Sequence, residues 1–127
     1  MPITTQRKIA IDLTTFECDG NLSLNEIVAV IERYFQEAVA PRTNKIIWDM
    51  RTASIDLLTV DHVNRIANLV NIYRAEAKGT KIAVVVSKNI NFDYAKKFRA
   101  KAQESLINLI LFRKIDEATE WLEKESE

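Results

Sequence analysis

The sequence is poor in the residues on which most recognisable active sites depend. Its 127 residues include two glycines (Gly20 and Gly79), one histidine (His62) and one cysteine (Cys18). A phosphate-binding loop or a dinucleotide fingerprint needs several glycines within a few positions, so both are excluded. Zinc sites draw mainly on histidine and cysteine, and we therefore expect no metal site and no cofactor. A disulfide within the chain is impossible, which fits a reducing compartment.

Charge and hydropathy exclude further classes of protein. The 18 basic and 18 acidic residues cancel, so no strong positive field is present to attract nucleic acid or anionic lipid. The longest clean apolar run, residues 82–86, is far too short to span a membrane. The first residues lack the apolar middle of a secretory signal. We expect one cytoplasmic domain over residues 1–127, with no membrane span and no nucleic-acid partner.

Strand and helix signals alternate along the chain. Strand composition marks residues 9–18 (one bulged strand or two short ones), 45–50, 81–86 and 109–112. Helical spacing begins at Ser23, at Thr59 and near Asn91, and Asp116 is expected to cap a last helix. Pro41 is expected to end the first helix. Strand–helix–strand units are right-handed in about 98% of cases. The order predicts an α/β sandwich, mostly parallel, with about four helices on both faces of the sheet.

Two helix ends carry specific local signals. Ser23 and Glu26 have the spacing of a capping box, and Leu22 and Ile27 have that of a hydrophobic staple. Gly79 is expected as the left-handed cap at the end of the second helix, and Gly20 is expected in a turn. Such signals place the ends of helices without any knowledge of the tertiary structure.

Polar residues follow the strands where ligands bind in open α/β sheets, outside the carboxyl ends of the strands. The candidate ligand-binding residues are Asp49, Arg51, Ser87, Lys88, Asn89 and Arg113. Such a set suits a small anion or a phosphorylated group. The alternative is that these side chains only solvate the sheet end, with Asp49 and Arg51 pairing across the loop.

No catalytic residue emerges. His62 has no nucleophile or orienting partner at a recognisable spacing, and it is interpreted as a surface residue. Cys18 is interpreted as a small buried hydrophobe. Leu69 and Ile72 fall outside the core stripe of the second helix, and we take them as the candidate interface of a homodimer.

Four stretches together resemble the SpoIIAA-like (STAS/CRAL-TRIO-type) family of small bacterial α/β proteins. They are residues 19–27, the strand 46–51 that ends in Asp-Met-Arg, the strand 81–87, and the closing Phe-Arg…Glu-Ala…Trp-Leu pattern in 111–122. The closing pattern is the most specific. The resemblance implies a mixed sheet of four or five strands, the fold of anti-sigma-factor antagonists and of lipid-binding CRAL-TRIO domains.

The resemblance does not bring a function with it, because fold and site are separable. The antagonists carry a phosphorylatable serine in an Asp-Ser-Ser-Gly context, where this chain has leucines at Leu57 and Leu58, with Ser54 and Thr59 as imperfect substitutes. We therefore expect a non-enzymatic STAS-like interaction or regulatory module without that switch. The alternative is a small-molecule or lipid carrier that binds between sheet and helices. Expected partners are a protein, a small anionic or apolar ligand, and a second copy of the chain.

Overall fold

Five strands form one mixed sheet whose spatial order follows the chain order. The structure is a computed structural model that describes residues 3–36, 43–73, 75–76, 79–87, 89–103 and 108–124. The strands are β1 (Ile3–Lys8), β2 (Leu13–Asn21), β3 (Lys45–Ser54), β4 (Lys81–Val85) and β5 (Asn108–Phe112). Strand β1 is antiparallel to β2, and β2 to β5 are parallel. The mostly parallel mixed sheet expected from the sequence is confirmed.

The first two strands form a hairpin around a short 3-10 helix, Ile9–Ile11. Ile9 and Ile11 are therefore exposed turn residues and not the first positions of a strand. Asp12 follows in the left-handed region with a φ of 56°. Its Oδ1 accepts a hydrogen bond from the Asn44 backbone N–H at 2.8 Å, and its carbonyl oxygen accepts one from Lys45 at 3.2 Å. These bonds anchor the turn to the start of β3.

The helices are distributed unequally over the two faces of the sheet. They are α1 (Leu24–Gln36), α2 (Val60–Ile72), α3 (Asn89–Gln103) and α4 (Ile115–Glu123). Helices α1, α2 and α3 share one core with Phe16 and Trp48, whereas α4 packs on the opposite face against Ile47 and Val85. Helices on both faces were expected, and the described chain has three on one face and one on the other. None of the described helices is long and apolar enough to cross a membrane.

Local hydrogen bonds explain where two helices begin. The Ser23 backbone N–H donates to Glu26 Oε1 at 3.1 Å, and the Glu26 N–H donates to Ser23 Oγ at 3.3 Å, so the predicted capping box is confirmed. Helix α2 has an analogous pair in which His62 replaces the acidic residue: the Thr59 N–H donates to His62 Nδ1 at 3.3 Å, and the His62 N–H donates to Thr59 Oγ1 at 3.2 Å. Pro41, expected to end the first helix, lies outside the described residues.

Three other local predictions are wrong in detail. Asp116 lies inside the first turn of α4, and the cap position belongs to Lys114, which makes no side-chain cap bond. Helix α2 ends well before Gly79, which lies in the turn before β4 with a φ of 84°. Gly20 is part of β2 and not of a turn, although its φ of 70° requires the freedom of glycine.

Lys81 connects the sheet to α4. It is the first residue of β4 and only 8% exposed. Its Nζ donates to the carbonyl oxygens of Trp121 at 2.7 Å and Lys124 at 3.1 Å, and it lies 4.5 Å from the centroid of a Trp121 ring. A cation at this place satisfies carbonyls that a helix end leaves unpaired. Burial lowers the pKa of Lys81, and the positive charges of Lys45 and Lys124 lower it further.

Candidate functional site

Strand β3 carries two of the polar residues at the carboxyl end of the sheet, and it extends beyond the end of the neighbouring strand β4. Asp49 pairs with Val85, the last residue of β4, whereas β3 continues to Ser54. Asp49 and Arg51 therefore lie within β3, so the strand predicted to end at Met50 continues to Ser54, and the expectation that these two side chains pair across a loop is wrong. Their side chains lie where β3 reaches and passes the end of β4.

A β-bulge lies at the same place. Between the pairs Glu17↔Asp49 and Asp19↔Thr52, β3 contains one residue more than β2. Because side chains alternate between the faces of a strand, one extra residue reverses the alternation that follows. Ala53 accordingly packs into the same core as the even-numbered Trp48 and Met50.

Asp49 and Arg51 form a bidentate ion pair. Arg51 Nε donates to Asp49 Oδ1 at 2.9 Å, and Arg51 Nη2 donates to Asp49 Oδ2 at 2.8 Å. The Arg51 backbone N–H also donates to Oδ1 at 3.3 Å. The hydrogen bond from Arg51 holds the pKa of Asp49 below its ordinary value, despite the opposing effect of burial. The carboxylate is thus ionised and held by its neighbour.

Ser87 and Arg113 join the same cluster. Ser87 Oγ donates to the Arg51 carbonyl oxygen at 2.9 Å, and Arg113 Nη1 donates to the Ser87 carbonyl oxygen at 3.3 Å. The Arg113 guanidinium lies 4.0 Å from the centroid of the Phe92 ring. Lys88 and the side chain of Asn89 lie outside the described residues. The structure thus brings Asp49, Arg51, Ser87 and Arg113 together, and their hydrogen bonds are made with one another. Anion binding by this cluster stays a prediction.

The two residues that could have reacted as nucleophile or base are in structural positions. Cys18 is 2% exposed, and burial, together with the charge of Asp49, raises the pKa of its thiol to about 12. A thiol with that pKa is protonated at neutral pH, and the thiolate is the reactive form. His62 is part of the cap of α2. Across the described ranges, no group of three acidic, histidine or cysteine residues is arranged to hold a metal.

The candidate interface residues differ in their surroundings. Leu69 is half-buried and packs against the main core, so its assignment outside the core stripe is wrong. Ile72, near the end of α2, is 71% exposed. Self-association through Leu69 and Ile72 stays a prediction.

The feature that the sequence did not reveal is a cavity between the sheet and α1, α2 and α3. It measures about 130 Å³, and its walls are almost entirely hydrocarbon. Side chains come from β2 to β5 and from all three helices, among them Phe16, Ile31, Trp48, Val70, Val84 and Phe98. The apolar stripes in the sequence identify such residues as core, but a stripe does not say whether the side chains fill the space between them.

Asn91 lines this cavity with a carboxamide side chain. It lies in the first turns of α3, is 1% exposed, and its Nδ2 donates to the Ala53 carbonyl oxygen at 2.8 Å. Its Oδ1 is buried without a hydrogen-bond partner in the part of the chain that the structure describes. A buried unpaired acceptor costs about 1–3 kcal/mol. The sequence placed Asn91 only as a helix boundary, and its helical spacing to Ala95 and Phe98 is the signal that could have identified it as a core residue.

The arrangement of sheet and helices has a counterpart among solved structures. It is similar to the crystal structure of an uncharacterized protein of the DUF3478 family from Shewanella loihica PV-4, which has a SpoIIAA-like fold. The identity is 16%, the TM-score is 0.53, and the alignment covers 94% of this chain and 91% of that chain. The chain has a SpoIIAA-like fold. No family model and no curated protein matches the sequence.

In this SpoIIAA-like chain, the resemblance puts the antagonists' phosphorylated serine in the loop between β3 and α2. Leu57 is 58% exposed there, and Leu58 is buried in the cavity wall. The nearby hydroxyls of Ser54 and Thr59 each accept a hydrogen bond from a backbone N–H. The loop of this SpoIIAA-like protein therefore contributes to the core and to a helix cap.

Proposed function

We propose that this protein binds a small apolar molecule in the cavity between its sheet and helices α1–α3. The observation that carries the proposal is the cavity of about 130 Å³ with hydrocarbon walls. Protein interiors are normally packed as densely as organic crystals. At about 24 cal/mol per Å³, a fully enclosed empty void of this size would lower the free energy of unfolding by about 3 kcal/mol. A ligand of matching shape removes that cost.

The volume limits the size of the ligand. An engineered cavity of about 150 Å³ with similar walls stays dry and binds benzene. A volume of about 130 Å³ therefore suits a single ring with one or two small substituents, or a short branched chain. Pockets for larger ligands measure about 300–1,000 Å³, so a long acyl chain would require the walls to move apart. We infer a small-molecule carrier or sensor in preference to a carrier of whole lipids.

The polar cluster at the sheet end supports binding in preference to catalysis. Asp49 is held by Arg51, and Ser87 donates to the Arg51 carbonyl oxygen. The Cys18 thiol has a pKa raised to about 12, so it is a poor nucleophile at neutral pH. These contacts support a non-enzymatic protein in which the polar side chains at the sheet end stabilise the structure.

A protein-interaction module is the second candidate, and one observation favours it. Leu57 and Val60, which bracket the start of α2, are 58% and 49% exposed. Two exposed apolar side chains so close together suit contact with another protein. They lie where the antagonists that this chain resembles carry their switch. A partner at this surface does not require the cavity to be occupied.

The proposal is tested by titrating the protein with toluene while backbone amides are followed by NMR. We expect saturable shifts at residues that line the cavity, such as Phe16, Val84 and Ala95. The variant Ala95→Leu adds three carbon atoms to the wall and should abolish the shifts while the fold is kept. Ala29→Leu, the same change at an exposed position of α1, is the matched control and should bind as the wild type does.

Two results would contradict the proposal. The first is the absence of saturable shifts up to the solubility limit of toluene. The second is equal loss of binding in Ala95→Leu and Ala29→Leu, which would trace the effect to something other than the cavity. Native mass spectrometry of protein purified without added ligand gives an independent measurement, since a retained molecule of about 100 Da is the expected mass difference for a ligand of this size.

A further inference from the structure

We infer that the ligand is neutral, carries one O–H or N–H donor, and is held by a hydrogen bond to Asn91 Oδ1. This inference rests on the proposed binding of a ligand in the cavity. The cavity volume limits only the size of the ligand, whereas this inference identifies the chemical group that selects among apolar molecules of equal size.

The orientation of the Asn91 amide follows from its partner. The Ala53 carbonyl oxygen can only accept a hydrogen bond, so the atom 2.8 Å from it must be the donor Nδ2. The other amide atom is therefore Oδ1, an acceptor. Asn91 is 1% exposed and Ala53 is fully buried, so bulk solvent does not supply a partner for Oδ1. The bulge in β3 contributes here, because it places Ala53 on the cavity side of the sheet.

A water molecule does not suit this acceptor. A buried water normally makes about three hydrogen bonds. The cavity walls are hydrocarbon around Asn91, and the hydroxyl of Tyr34, another lining residue, already donates to the Thr43 carbonyl oxygen at 2.7 Å. A ligand that needs only one polar contact fits the site better. Such a molecule places its hydrocarbon part against the walls and its single donor on Oδ1.

The same geometry excludes other head groups. An ionised carboxylate or phosphate presents only acceptors, which Oδ1 repels, and burial of an unpaired charge is very costly. An ether or a halide also lacks a donor. The matching class is a phenol, a small alcohol or an indole-like N–H compound. Sites built to hydrogen-bond a ligand discriminate strongly against isosteres that lack the group, because the acceptor of the site is then left unpaired.

The test uses three probes of nearly equal shape: p-cresol, which has a hydroxyl, and p-xylene and 4-fluorotoluene, which have no donor. Dissociation constants are measured by NMR titration of the wild type, of Asn91→Leu and of Asn68→Leu. Asn68 is an exposed asparagine of α2 and provides the matched control. Each dissociation constant is multiplied by the cyclohexane-over-water partition coefficient of the probe, which removes the contribution of apolar transfer, since cyclohexane cannot form hydrogen bonds.

We expect the wild type to prefer p-cresol over both other probes by about tenfold or more on this corrected scale, the ratio typical of one well-made hydrogen bond. Asn91→Leu should lose that preference, and Asn68→Leu should keep it. Binding of p-xylene with no preference for p-cresol would overturn the role of Asn91 and leave the proposed function intact. Binding of none of the probes would overturn both. The comparison within the wild type decides the question even if Asn91→Leu, which leaves the Ala53 carbonyl unpaired, does not fold.

Discussion

Replacement of Lys81 by methionine tests how the sheet holds α4. The change keeps most of the buried stem and removes the ammonium that donates to the Trp121 and Lys124 carbonyl oxygens at 2.7 and 3.1 Å. It also removes the cation 4.5 Å from a Trp121 ring. Helix α4 is the one described helix on its face of the sheet, so its last turn depends on this contact.

The expected loss can be worked from these contacts. A hydrogen bond from a charged group contributes about 1.5–3 kcal/mol, and a cation at a helix C-terminus contributes about 0.3–1 kcal/mol more. The ammonium of Lys81 also loses much of its hydration when it is buried, which offsets part of the sum. We expect Lys81→Met to lower the free energy of unfolding by about 2 kcal/mol. For a chain of this length, that loss lowers Tm by about 7 °C.

The assay is urea unfolding followed by tryptophan fluorescence, with Lys45→Met as the matched control. Lys45 pairs with Lys81 across the two strands, and the same substitution there should cost much less. Hydrogen exchange should show faster exchange in α4 of Lys81→Met and little change in β2. If Lys81→Met is as stable as the wild type, or if Lys45→Met loses as much, the argument that Lys81 holds the end of α4 is wrong.

Two further predictions, one reagent reaction and one substitution, concern groups whose pKa values are shifted. The thiol of Cys18, with a pKa raised to about 12 by burial, should react with Ellman's reagent at pH 8 only as fast as the protein unfolds; rapid reaction of native protein would contradict its burial. Asp49→Asn should destabilise the protein by about 1 kcal/mol at pH 7, a modest value because the pair with Arg51 is partly exposed. Because the pKa of Asp49 is lowered in the fold, its contribution is present above the ordinary value of 3.8 and is lost as the pH falls through the lower folded value. Urea titrations of both proteins should therefore converge in acid, and a difference that persists there would rule out the ion pair as its source.

Local signals in the sequence predicted the elements well where short-range chemistry decides them. The Ser23–Glu26 capping box has the predicted bonds, because both partners lie within one turn. The continuous apolar run after Lys81 forms a strand that is buried along its whole length. The same local reasoning failed at Ile9 and Ile11, since β-branched residues in a short 3-10 helix look like a strand until the hairpin around them is known.

The site was only partly accessible to such reasoning. The rule that ligands gather at strand ends did bring Asp49, Arg51, Ser87 and Arg113 together, but residue types alone do not show that these groups are engaged with one another. The cavity depends on the summed volumes of side chains from seven elements, and periodicity carries no information on that sum. Asn91 escaped notice for the same reason, because its role depends on what surrounds it.

The order of the strands also determines whether the loops at the carboxyl end of the sheet turn apart. In doubly wound sheets the strand order reverses at one point, the loops on either side turn to opposite faces, and a crevice opens between them. Strands β2 to β5 are added one after another in a single direction, with all three connecting helices on one face, so no such parting of loops arises. The segments at the carboxyl end of the sheet can therefore contact each other directly. The hydrogen bonds that join Arg51, Ser87 and Arg113 are contacts of this kind. Loop exchange, which redirects specificity in doubly wound proteins, should therefore have little effect here, and selectivity should change with substitutions beneath the helices.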